Sequence, residues 1–178
     1  AFISYNHDSN NSSNFQQASI WIFPVWLYFK DRSFLEMSFT PTWQNINFPF
    51  TPLGLEIARD NYYYTRYTIR YNTDRSKKWS ASGRYDFGKF YNGDRNTAAL
   101  SGRFAPIPHI ALTVDYEHNG LNGVGTENRD LNTDLITVGS RFAVNPRLQL
   151  SAFYQYNSFD DQGRWNVRAS WEYQPLRG

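Results

Sequence analysis

The chain has 178 residues, and its 18 lysines and arginines nearly balance its 16 aspartates and glutamates, so the formal net charge is only +2. This length fits one domain or a piece of a larger one, and the charge balance gives no sign of a nucleic-acid partner. Cysteine is absent, which excludes disulfides and thiolate sites, while 14 Phe, 13 Tyr and 6 Trp make the chain unusually aromatic.

Residues 1–59 show a strand pattern less clearly than the rest of the chain. A first strand is predicted at residues 2–7, and residues 18–29 are apolar on both faces, so their orientation stays open. The apolar stretch at residues 20–29 is too short for a membrane-spanning helix, and Pro24 interrupts it. From Leu35 onward apolar residues alternate with polar ones, as expected of a strand.

From Asn61 onward the alternation has a period of two, which is typical of strands with one apolar and one polar face. It recurs at residues 61–71, 78–87, 95–104, 110–117, 136–144, 148–156 and 164–173, and no helix is predicted. We therefore expect one all-β domain over residues 1–178. It is an antiparallel up-and-down meander of about ten strands that forms a transmembrane β-barrel or the late part of a larger one.

The connections are predicted to alternate in length. Short turns are expected at residues 31–32, 73–77, 105–108 and 145–146, and longer loops at 45–60, 91–95, 119–130 and 158–163. Such alternation places the tight turns at one end of the sheet, as in outer-membrane barrels, which have short periplasmic turns and long outer loops.

The polar face is rich in Arg, Ser, Thr, Asn and Gln but poor in Lys, which favours the lumen of a membrane barrel over the outside of a soluble one. The predicted lumen-facing residues are Arg66, Arg70, Arg84, Arg103, Asp115, Glu117, Arg141, Arg164, Arg168 and Glu172. Because arginines outnumber carboxylates, this lumen is expected to favour anions, unless paired side chains fill it.

The apolar face is expected to meet lipid. The predicted lipid-facing residues near mid-membrane are Tyr67, Ile69, Leu112, Val114, Leu150, Val167 and Ala169. Aromatic residues near the strand ends resemble the girdles found at membrane interfaces: Trp43, Tyr71, Trp79, Trp165 and Tyr173.

A family resemblance adds to this interpretation. Residues 62–119, 134–158 and 166–178, above all GKFYNG at 88–93 and NVRASWEYQPLRG at 166–178, resemble the C-terminal β-barrel of a bacterial outer-membrane family of unknown function. Members often carry an N-terminal carbohydrate-binding family 9-like module, which is absent here, and further strands follow the segment that resembles WEYQPLRG. The resemblance implies an outer-membrane location and the late part of a larger barrel, and no catalytic residues.

No cofactor or metal site is predicted. His118 and its acidic neighbours do not share one strand face, and the glycines of NGLNGVG lie in a predicted loop rather than a phosphate cradle. Rings and arginines lie on opposite faces, which disfavours nucleic-acid binding. A third, less favoured alternative is an outer-membrane hydrolase that uses Ser140 with His118 as its base.

The sequence thus predicts a non-enzymatic, porin-like barrel in the bacterial outer membrane. It would be a channel or transport scaffold for polar or anionic solutes, carbohydrates included. Its expected partners are membrane lipid or detergent, other outer-membrane subunits, or the remaining part of the barrel. The main alternative is a soluble or surface all-β module that binds carbohydrate through exposed aromatic rings.

Overall fold

The computed structural model describes residues 1–7, 15–145 and 148–171, with the backbone alone described for Val144. The ten strands are β1 Phe2–His7, β2 Phe15–Tyr28, β3 Phe34–Asn45, β4 Asn61–Asn72, β5 Trp79–Phe90, β6 Gly93–Ile107, β7 Ile110–Val124, β8 Arg129–Asn145, β9 Leu148–Asn157 and β10 Gln162–Trp171. One 3-10 turn, Pro52–Gly54, lies between β3 and β4.

The strands form one sheet in chain order, and every neighbouring pair is antiparallel. The predicted all-β up-and-down meander of ten strands is therefore confirmed. Within the described residues the sheet is open, because β1 and β10 are its two edges and do not pair with each other.

Two prolines lie at irregularities of the sheet rather than in regular strand. The register of β2 against β3 shifts between Ile22 and Val25, a segment that contains Pro24, and that of β6 against β7 shifts between Phe104 and Ile107, which contains Pro106. Proline has no backbone N–H to donate to a ladder, so β-bulges are where strands accept it.

The β2 bulge settles the orientation that the sequence left open. Ile22 and Val25 lie opposite Phe39 and Met37, whereas Trp26 lies opposite Glu36. One extra residue in β2 therefore keeps aliphatic side chains on one face and turns aromatic ones to the other.

Several of the predicted connections have a different length in the structure. The connection expected at residues 91–95 is a two-residue turn, and the loop expected at 119–130 shrinks to residues 125–128 because β7 continues to Val124. Gly120 and Leu121 pair with Asn96 and Arg95 of β6 and with Asn132 and Leu131 of β8. Ladders on both sides of β7 thus override the turn preference of its Asn and Gly residues. The turn expected at 105–108 is also shorter, since β6 extends to Ile107.

Candidate functional site

The register gives the sheet two chemically different faces. The polar face contains Glu36 and every residue in register with it, and the apolar face contains Ile69 and Leu112. The described members of the predicted lumen-facing set all lie on the polar face: Arg66, Arg70, Arg84, Arg103, Asp115, Glu117, Arg141, Arg164 and Arg168. The predicted lipid-facing set lies on the apolar face: Tyr67, Ile69, Leu112, Val114, Leu150, Val167 and Ala169. Glu172 lies outside the described residues, and lumen and lipid remain predictions for both sets.

Burial on the two faces is the reverse of burial in a water-soluble sheet. On the polar face Glu36 is 4% exposed and Thr97 2%, whereas on the apolar face Val114 is 52% exposed. A sheet in water covers its apolar face and leaves the polar face wet. Here the covered groups are polar and the exposed ones are aromatic and aliphatic.

A row of paired charges crosses the polar face from β3 to β7. Arg70 Nη1 lies 3.6 Å from Glu36 Oε2, and Arg84 Nη2 lies 3.7 Å from Glu117 Oε2. Arg84 Nε is 2.9 Å from Asp86 Oδ2, but this ion pair lacks the alignment of a hydrogen bond. Since Arg70 and Arg84 are direct cross-strand neighbours, these carboxylates offset the repulsion between them. The two arginines border a groove of about 390 Å³.

A neighbouring row binds its arginines through neutral groups. Arg66 Nη1 donates to the carbonyl oxygen of Arg95 at 2.6 Å, and Arg95 Nη2 donates to Asn119 Oδ1 at 3.3 Å. Thr97 Oγ1 donates to the same amide oxygen at 2.7 Å. The Arg95 guanidinium also lies 5.4 Å from the centre of the Phe90 ring. Carbonyl and amide oxygens position these cations without cancelling their charge.

The remaining charges of the polar face are less constrained. Arg103 Nη1 donates to the carbonyl oxygen of Arg75 at 3.3 Å, and Arg164 Nη2 lies 3.0 Å from Asp160 Oδ2. Within the described part of the chain, Arg66, Arg95 and Arg103 make hydrogen bonds but no ion pair. Asp115, Arg141 and Arg168 make no ion pair there either. Arginines therefore outnumber carboxylates across the described polar face.

The connection between β3 and β4, residues 46–60, folds onto the polar face instead of extending away from the sheet. Its Ile57 is 0% exposed and packs with Leu55 against Leu121 and Val124 at the far end of β7, where Val124 is 1% exposed. This is the hydrophobic cluster of the described chain. The sequence analysis missed it, although isolated apolar residues in a long connection were a usable signal.

Backbone contacts fix this connection in place. Thr126 N donates to the Glu56 carbonyl oxygen at 2.8 Å. Asn92 Nδ2 donates to the Gly125 carbonyl oxygen at 2.8 Å, and Gly125 N donates to Asn92 Oδ1 at 3.0 Å. Gly125 has φ +85°, and a Cβ there would lie 2.8 Å from the Glu56 oxygen, so glycine is required. We call residues 46–60, docked on Leu121 and Val124, the inner loop.

Aromatic pairs on the apolar face lie near both ends of the sheet. The Trp43 and Tyr63 ring centres are 5.2 Å apart at one end, and those of Trp79 and Phe104 are 3.9 Å apart at the other. Rings also occur midway, where Tyr67 stacks on Phe87 at 5.3 Å. Of the predicted girdle, Tyr71 and Trp165 lie near the ends of β4 and β10, and Tyr173 lies outside the described residues.

The hydrolase pair is contradicted by the register. His118 of β7 lies opposite Asp134 of β8, and Asp134 is six residues from Ser140 along β8. Ser140 and His118 are therefore roughly 20 Å apart. A hydroxyl at that distance cannot transfer its proton to the imidazole. His118 Nδ1 instead lies 2.8 Å from Asp134 Oδ1, which also accepts a hydrogen bond from the Tyr116 hydroxyl at 2.7 Å.

In the described ranges, three or more His, Cys, Asp or Glu side chains nowhere gather as they would around a metal ion. The same residues include no helix of the length and apolarity needed to cross a bilayer. No protein-family model, curated protein or solved structure matches the chain. The resemblance to an outer-membrane family therefore stays a prediction.

Proposed function

We propose that the chain forms a large part of the wall of a bacterial outer-membrane β-barrel that serves as a channel or transport scaffold for polar or anionic solutes. The reversal of burial carries this proposal. Exposed aliphatic and aromatic residues on every central strand match a lipid-facing wall, and covered Glu, Thr and Ser side chains match the lining of a lumen.

The open sheet supports a barrel completed by additional strands. Among the described residues β1 and β10 are the two edges of the sheet, and a bilayer does not tolerate an open sheet edge. The partners that complete the wall are further strands of the same barrel or other outer-membrane subunits.

The excess of arginine supports a preference for anions. Arg66 and Arg103 bind carbonyl oxygens and keep their full charge, and Arg141 makes no ion pair with a described residue. Cations held along a low-dielectric wall attract anions and repel other cations.

Solubility and conductance together test the proposal. The protein should require detergent for extraction and should conduct ions in planar bilayers with an anion-selective reversal potential. A monodisperse protein in plain buffer would favour the soluble carbohydrate-binding module, and a barrel without conductance would favour a lumen filled by paired side chains.

A pair of matched variants ties the selectivity to the polar face. Arg141→Gln removes an exposed charge of the polar face that makes no ion pair with a described residue. Lys89→Gln removes an exposed positive charge, paired with Asp94 at 2.9 Å, from the apolar side of the wall. Anion selectivity should fall in Arg141→Gln and stay unchanged in Lys89→Gln. Equal effects in the two variants, or cation selectivity of the parent protein, would contradict the assignment of the lumen.

A further inference from the structure

One part of the polar face is aromatic rather than charged. It is formed by β1, by β2 beyond Ser19 and by the start of β3, and we call it the aromatic track. The track consists of Phe2, Trp21, Phe23, Trp26, Tyr28 and Phe34. The β2 bulge turns Trp26 and Tyr28 to this face.

The rings of the track form a nearly continuous surface. The centre of the Trp26 ring lies 5.4 Å from that of Phe23 and 6.4 Å from that of Phe34, and the planes of Trp26 and Phe34 differ by only 10°. Tyr28 lies 5.9 Å from Phe34. From Trp21 to Tyr28 the track extends roughly 23 Å along the strand.

The rings remain open while charged groups stand beside them. Trp26 is 48% exposed, so half of its surface is available to a ligand. Its cross-strand neighbour Glu36 is buried and lies 3.6 Å from Arg70, whose side chain is 40% exposed. Tyr28, which is 72% exposed, adds a hydroxyl group beside Phe34. A flat apolar surface thus adjoins a planar donor and a hydroxyl group that can accept a hydrogen bond.

We propose that the aromatic track binds linear oligosaccharides, which deepens the proposed transport of polar solutes and rests on the assignment of this face to the lumen. A pyranose ring has an apolar C–H face that covers an aromatic ring, and its hydroxyl groups need both donors and acceptors at the rim. Trp26 and Phe34 supply the stacking surface, the Arg70 guanidinium donates hydrogen bonds, and the Tyr28 hydroxyl accepts them. An extended chain of sugars fits a row of rings better than a single sugar does.

Tryptophan fluorescence of the detergent-solubilised protein tests this inference. The probes are maltohexaose, cellohexaose and xylohexaose, with glucose for comparison. At least one hexasaccharide should change the emission saturably and more strongly than glucose. Trp26→Ala should weaken its binding about tenfold, the loss expected for one stacked ring.

The control is Trp165→Ala, which removes an exposed tryptophan from the apolar face. Its sugar affinity should equal that of the parent protein. Phe34→Ala provides a second track variant without loss of a fluorophore. The inference is overturned if no hexasaccharide binds, or if Trp165→Ala weakens binding as much as Trp26→Ala.

Conductance measured without sugar separates this inference from the proposed function. A conducting barrel that binds no hexasaccharide would refute the aromatic track alone. A silent barrel whose Trp26 still reports binding would refute the channel and leave the track standing.

Discussion

Ile57→Ala should release the inner loop from the polar face. Ile57 is 0% exposed and packs on Leu121 and Val124, so the substitution loses its apolar contacts and leaves a cavity. Such truncations cost about 2 to 5 kcal/mol. Because each 1.4 kcal/mol is roughly a factor of ten, the undocked fraction should rise about 30-fold to several thousand-fold.

Hydrogen exchange at the Thr126 amide measures this undocking, because that amide donates to Glu56 of the docked loop at 2.8 Å. Leu53→Ala is the matched control, since Leu53 belongs to the same loop and is 54% exposed. Unchanged protection of Thr126 in Ile57→Ala, or an equal loss in Leu53→Ala, would refute the reasoning.

A second pair of variants tests the docking of the inner loop at its backbone contact with Gly125. Gly125→Ala places a Cβ 2.8 Å from the Glu56 oxygen, while Gly123→Ala, also at positive φ, meets nothing within 4 Å. Alanine at positive φ costs about 1 to 2 kcal/mol in both variants. Only Gly125→Ala should also displace the loop and so reduce the protection of the Thr126 amide from hydrogen exchange. Equal protection in the two variants would contradict the close approach.

Two further predictions concern the apolar face and a turn. Val114→Arg in central strand β7 should cost about 2 to 4 kcal/mol in lipid, and Ile107→Arg near a strand end at most about 1 kcal/mol, as chemical denaturation in vesicles would show. Equal costs would contradict a lipid-facing wall. Hydrogen bonds from the Ser33 hydroxyl and amide, at 2.6 and 3.1 Å, hold the pKa of Asp31 below its ordinary value of 3.8. The ionised Asp31 carboxylate therefore stabilises the turn, and this contribution is complete above pH 3.8 and is lost as the pH falls through the lowered pKa. Protection of the Ser33 amide from exchange should decline only in acid. Asp31→Asn should abolish that decline, and a loss of protection beginning near neutral pH would refute the assignment.

From β3 onward the alternation of polar and apolar residues was sufficient to predict most of each strand and its two faces. Wherever a strand has a period of two, as in β4 with Arg66 and Tyr67, the sequence states which residues share a face. Strand ends were harder to predict because Asn and Gly favour turns in isolation. Gly120 lies in a regular ladder since both neighbouring strands supply pairing partners.

The local sequence pattern could not predict the inner loop or the aromatic track. Docking of Ile57 on Val124 joins residues far apart in the chain, and no local periodicity encodes such a contact. The orientation of Trp26 depends on a single extra residue near Pro24, since a one-residue shift moves every following side chain to the opposite face. The sequence showed that residues 18–29 were apolar on both faces but could not locate the bulge.

The inner loop and the Trp26 end of the aromatic track lie at opposite ends of β3, which begins at Phe34 beside Trp26 and ends at Asn45 beside the loop. The length of this strand separates Phe34 from the loop by roughly 35 Å, and the charged row of Glu36 and Arg70 adjoins Trp26. Sites so far apart, without shared partners, act additively. Ile57→Ala should therefore reduce the protection of the Thr126 amide without changing hexasaccharide affinity, and Trp26→Ala should weaken hexasaccharide binding without changing the protection of Thr126. A double variant that combines both changes should show the sum of the two effects in free energy, and a marked departure from additivity would mean that the inner loop also contacts the bound sugar.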